Sequence, residues 1–167
     1  MKRIFLHLFL FLLFVPVSWA QNRYYVPNVQ QGEKLYQRNC SSCHGARGLA
    51  DTATANALIK KPVALGDLEV LSKLTPEKVF TIMTQGAIEN GMPSFKAMSI
   101  QERWDVAAYV FTLHPNFEKP TGDVRPTLTW DETKSLSDVQ IMEIFRKRAV
   151  PESSLQKELS CVRYLPE

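Results

Sequence analysis

The strongest chemistry in the chain is set by one short stretch, Cys40-Ser41-Ser42-Cys43-His44. It holds two thiols with two residues between them and an imidazole directly behind the second. Thioether bonds from such a pair suit the two vinyl groups of one porphyrin, so the stretch reads as a covalent attachment site for a c-type haem. The adjacent histidine then sits under the iron and can donate an imidazole nitrogen as proximal ligand. Other uses of the pair fit less well. A structural zinc site needs four ligands, and outside the motif only Cys161, His7 and His114 remain, widely scattered. A thioredoxin-like pair needs a βαβ context, which the sequence lacks. A disulfide across two residues is strained and uncommon.

A second stretch, Gly91-Met92-Pro93-Ser94-Phe95, lies between two helix patterns. Glycine lets the backbone turn before the methionine and proline fixes it just after. A thioether held this way can reach the far side of an iron, so Met92 is the candidate distal ligand. Met83 and Met98, without that frame, read as core filler.

Helices must position these groups. Gly32, Leu35, Tyr36 and Asn39 or Cys40 share one helical face leading into the motif. The stretch from Gly45 to about Lys61 has no strong period and reads as a long loop wrapping one haem edge. A backbone carbonyl near Lys61 or Pro62 is the candidate acceptor for the second ring N–H of His44. Leu65 to Leu74 holds a short helix. Thr75 caps the next, with Pro76 at its first position and Glu77 behind it, and Val79, Phe80, Ile82 and Met83 form its apolar face. Gly86 suits a left-handed stop. Ser99 and Glu102 form a capping box for a last helix, apolar around most of its girth, ending at His114-Pro115. His114 reads as a favourable charge at that end rather than a ligand.

The first 20 residues have a positive start at Lys2 and Arg3, an apolar run from Ile4 to Val15, and small residues at Ser18 and Ala20. This is the pattern of a signal peptide cleaved after Ala20, with an uncleaved anchor as the alternative. The 167-residue chain carries a formal charge of +3, and two of those charges leave with the signal. No long basic stripe supports nucleic-acid binding. After residue 20 no apolar run is long enough to span a bilayer. Export, with a periplasmic location, agrees with haem attachment outside the cytoplasm.

Over about residues 28–115 the pattern resembles the class I (mitochondrial-type) cytochromes c. The resemblance rests on Cys40, Cys43 and His44, on Met92-Pro93, on Gly32 and Tyr36 in the first helix, and on Val106 and Tyr109 in the last. It implies an all-α cytochrome c fold of three to five helices around one haem, with first and last helices crossing nearly at right angles at Gly32. It also implies His44 and Met92 as axial ligands. Phe95, Trp104 and Tyr109 are expected to shield the haem from water. A finer likeness, carried by Gln85-Gly86, Gly91 to Phe95 and Glu102-Arg103-Trp104 through Tyr109-Val110, is to the cytochrome module ahead of some bacterial iron permeases.

Residues 21–117 thus read as the cytochrome domain and residues 118–167 as a linker and two-helix tail. Pro115, Pro120 and Pro126 mark the linker. Ser137 and Gln140 box the first tail helix, with Ile141, Met142 and Phe145 on its apolar face. Leu155, Leu159 and Val162 align on the second. Two such helices cannot bury enough surface alone and are expected to pack on the haem domain or a partner. Cys161 is odd in an oxidising compartment, either buried or open to intermolecular pairing.

The expected function is an exported monohaem protein carrying single electrons between redox protein partners, membrane-bound ones included, and not an enzyme. With both axial positions filled no small-molecule substrate is expected, nor any nucleic acid. The rivals are a ligand-binding haem enzyme or sensor, if Met92 does not ligate, and a haem module of a membrane oxidoreductase or iron-uptake system held through residues 118–167.

Overall fold

The computed structural model describes residues 25–122 and 125–164. The signal-peptide expectation for residues 1–20 lies outside the described residues. Those residues are all-helical and contain no strand, only an isolated antiparallel bridge between Ala87 and Met92. Three long helices build the first part: α1 (Val29–Asn39), α5 (Pro76–Gln85) and α6 (Ile100–Val110). Between α1 and α5 lie three short ones, α2 (Ser41–His44), α3 (Ala53–Ala57) and α4 (Leu68–Leu71). Then come α7 (Trp130–Thr133), α8 (Asp138–Lys147) and α9 (Leu155–Arg163).

Local chemistry starts the helices. The Asn28 side chain accepts from the Gln31 amide at 2.8 Å and opens α1. Thr75 caps α5 with Pro76 behind it. Ser99 and Glu102 exchange both bonds of a capping box at α6. The stretch expected as an open loop folds one turn, because Thr52 accepts from the Ala55 amide and alanine is the best helix former. Gly86 ends α5 with φ 77° but ψ 179°, so it takes an extended glycine conformation in place of the expected left-handed stop.

Helices α1 and α6 cross where Gly32 meets the backbone. A Cβ at Gly32 would lie 2.1 Å from the Asp105 carbonyl oxygen. Tyr36 and Tyr109 then pack with ring centroids 5.3 Å apart, beside the buried Val106, Val110 and Phe111. Apolar burial of such side chains stabilises by about 1.5–3 kcal/mol each.

The tail builds a second core from Leu128, Ile141, Phe145, Leu155, Leu159 and Val162. It also docks on the first. Trp130 is buried in the first core with its ring edge-on to Trp104 at 5.6 Å, and Trp104 stacks on Phe80 at 4.3 Å. Arg163 lies over the Phe111 ring at 4.4 Å and pairs with Asp138 at 2.7 Å. The Glu77 amide donates to the Lys134 carbonyl at 2.9 Å. The linker expected up to residue 130 thus ends in a capped turn, α7, whose capping box is Thr129 with Glu132. His114 is buried as well. Its Nδ1 accepts from the Asn116 amide at 3.0 Å, and burial lowers its pKa against the opposing Asp138 charge. It is a neutral ring in the joint and not the helix-end charge expected. Among the described residues no helix is long and apolar enough to cross a membrane.

Candidate functional site

Cys40, Cys43, His44 and Met92 all line one cavity of about 500 Å³. That volume falls in the range of roughly 300–1,000 Å³ common to cofactor pockets. Its walls are mostly apolar, with Leu65, Val79, Ile82, Val106 and Val110 among them.

The motif sits on α2, a turn that begins where α1 stops. The amide of Cys40 donates to the Tyr36 carbonyl at 2.8 Å, and those of Cys43 and His44 donate back to Cys40. The Tyr36 hydroxyl reaches across to the Gly45 carbonyl at 2.9 Å, and Thr52 donates to the Ser42 carbonyl at 2.7 Å. Both ends of the motif are thereby fixed. Burial, with Cys43 as the second cause, pushes the Cys40 thiol up to about 12. A thiol redox couple works with a lowered pKa, so Cys40 does not suit thiolate chemistry.

The His44 Nδ1 lies 3.0 Å from the Val63 carbonyl oxygen. A carbonyl only accepts, so Nδ1 carries the proton and Nε2 keeps its lone pair for a metal. The acceptor is one residue beyond the Lys61–Pro62 pair that the sequence suggests. Burial lowers the imidazole pKa, with the Val63 bond opposing it, which favours the neutral, coordinating ring.

Met92 is half-buried and held from both sides. Its amide and carbonyl bond those of Ala87 at 3.1 and 2.9 Å. Two residues on, the Ser94 hydroxyl donates to the Thr84 carbonyl at 2.7 Å, and the Phe95 amide donates to the Met83 carbonyl at 2.8 Å. A Cβ on Gly86 would sit 2.7 Å from the Ser94 amide, so the loop closes over a glycine.

These residues fit a c-type haem. Cys40, Cys43, His44 and Met92 line one apolar space, and no cluster of three or more His, Cys, Asp or Glu side chains competes among the described residues. Of the expected shielding residues, Phe95 lines the cavity. Trp104 and Tyr109 do not: Trp104 is taken by Phe80 and Trp130, and Tyr109 by Tyr36. Sequence pattern does not single out Val63, which lies in a loop without a period, or Val106 and Val110, because α6 is apolar around most of its girth.

The chain is similar to the following known proteins. A family model described as "Cytochrome C oxidase, cbb3-type, subunit III" matches residues 27–110. Thiosulfate dehydrogenase from Allochromatium vinosum is 36% identical over 101 residues, which is 58% of this chain and 36% of that protein. A chain of the reducing HAO-like protein complex of Kuenenia stuttgartiensis aligns at 17% identity with a TM-score of 0.49, over 78% of this chain and 61% of that one.

Proposed function

Because the chain belongs to the family of cytochrome c domains described as cbb3-type cytochrome c oxidase subunit III, we propose that it is an exported monohaem electron carrier with His44 and Met92 as axial ligands. A c-type haem supplies a one-electron ferric/ferrous couple. Cys40 and Cys43 would tether it, and His44 would bind through Nε2. The observation that carries this reading is the His44 Nδ1–Val63 bond, which leaves Nε2 its lone pair on a ring that lines the same cavity as Met92.

The chain's own residues account for the rest. The Val63 carbonyl fixes the imidazole tautomer and raises its basicity as a ligand. The apolar wall would keep water from the iron, and a Met92 sulfur ligand with low water access would raise the reduction potential. Ile59, Val63 and Ile88 stand exposed, next to or among the cavity-lining residues Leu58, Lys60 and Ala87. They offer a redox partner an apolar place to approach. With both axial positions filled, no substrate site on iron is needed and no catalysis is proposed.

A second reading has support of its own. The family description names an oxidase subunit, and the thiosulfate dehydrogenase relative is about three times as long as the matched segment. The same fold would then serve as a haem module held by a larger redox protein. The likeness to the module ahead of iron permeases makes a transporter the other holder of that kind. Substitution of exposed tail residues such as Val139 and Lys147 that abolishes co-purification of a partner, with the spectrum unchanged, is the result expected for a held module.

The test of the carrier is an absorption spectrum of protein matured in a haem-attaching host. A low-spin c-type spectrum is expected, with a weak far-red iron–methionine band that vanishes in Met92→Ala. The mass should rise by one covalently held haem, and this gain should be lost when both cysteines become serine. A high-spin spectrum, or a band indifferent to Met92→Ala, would hand the reading to a ligand-binding haem protein.

A further inference from the structure

One buried cation stands apart from the site but reaches its distal loop. Arg103, on α6, is buried, and its hydrogen bonds go to neutral oxygens. Nη1 donates to the Thr84 hydroxyl at 2.6 Å, and Nε to the Ser99 carbonyl at 3.4 Å. Its guanidinium lies over the Phe80 ring at 5.0 Å. The Thr84 hydroxyl in turn donates to the Phe80 carbonyl at 2.7 Å, so its oxygen has a lone pair to give Arg103. The carbonyl of the same Thr84 accepts from the Ser94 hydroxyl, two residues past Met92. Thr84 is therefore a relay, with Arg103 on one side and the methionine loop on the other.

We infer that Arg103 is a positioning residue for the distal ligand, holding Met92 through Thr84 and Ser94. This rests on the reading of Met92 as a ligand. The fork geometry suits the role, because a planar guanidinium bonded at two atoms and laid on an aromatic ring has little freedom left. It ties the last turn of α5 to the first turn of α6, the two elements between which the methionine loop is slung. A looser loop lets the thioether leave the iron while the helices stay folded.

The experiment uses the full holoprotein and three variants: Arg103→Met, Arg103→Lys and Thr84→Val. The last keeps the charge and the helix and removes only the relay hydroxyl. Urea titrations follow the far-red methionine band and the far-ultraviolet helix signal in parallel. In the unaltered protein the two are expected to fall together. In Thr84→Val and Arg103→Met the band should be lost at lower urea than the helices, and carbon monoxide should bind the reduced protein about tenfold faster. Arg103→Lys, which restores one donor, should fall between. A residue that only stabilises the fold would shift both signals together, and coincident curves with unchanged carbon monoxide rates in Thr84→Val would overturn the inference, whether or not Arg103→Met folds. Absence of the band from the unaltered protein would instead remove the Met92 assignment itself.

Discussion

His114 shows how a single ring responds to where the chain ends up. From sequence it is a histidine at a helix end before proline, which suggests a charge on the macrodipole. In the fold it is buried with Nδ1 accepting a backbone N–H, and its pKa is lowered. A base depressed in the folded state contributes stability that is complete above its unfolded pKa, about 6.5. As pH falls below that value the unfolded chain takes the proton first, and stability drops by at most about 1.4 kcal/mol per pH unit for one proton. His114→Gln should therefore flatten the pH dependence of the urea midpoint below about pH 6.5. A slope unchanged by the substitution would mean that His114 titrates alike in both states. That Cys40, Cys43, His44 and Met92 line one cavity was legible because the first three are linked by spacing alone, and Met92 stands out by its glycine and proline neighbours. The Val63 acceptor was legible only approximately, since the path of a loop across a cavity is decided by packing that no local pattern records.

At the scale of elements, what sequence could mark was what chemistry makes local. Thr75-Pro76 and the Ser99–Glu102 box start α5 and α6 where expected, because a cap and its partner lie within one turn. The turns α3 and α7 went unread, as four or five residues cannot show a period. The face of α6 is unreadable for the opposite reason: a helix apolar around most of its girth does not say which neighbour each side meets, so Trp104, expected beside the haem, packs on Phe80 and Trp130 instead. Gly32 is the exception where a single residue declares a contact between elements. With 2.1 Å from a built Cβ to the Asp105 carbonyl oxygen, the strain cannot be taken up by a flexible side chain. Gly32→Ala should push α1 off α6 and destabilise by about 1–3 kcal/mol or more. A urea midpoint within error of the unaltered protein would show that the helices can part at no cost.

Across the whole molecule, the tail behaves as part of the first core and not as an appendage. Its own apolar cluster is small, but Trp130 enters the core of α1, α5 and α6, and Arg163 and Asp138 sit buried at the seam. Arg163 Nη1 and Nη2 also donate to the Thr133 and Leu136 carbonyls at 3.2 and 2.8 Å, so every face of the guanidinium is engaged. Asp138→Ala leaves that cation in a dry seam without its counter-charge and should cost about 3–5 kcal/mol. Replacing both, with Asp138→Leu and Arg163→Met, removes the stranded charge and should cost clearly less. Trp104 and Trp130 meet at this joint, so tryptophan fluorescence reports its opening. Because the joint shares residues with the core that holds α5, fluorescence and haem absorbance should change at one urea concentration in the unaltered protein. Two separated transitions would make the tail an independent unit. A double variant as costly as Asp138→Ala alone would mean that the stranded Arg163 charge is not what makes that variant costly.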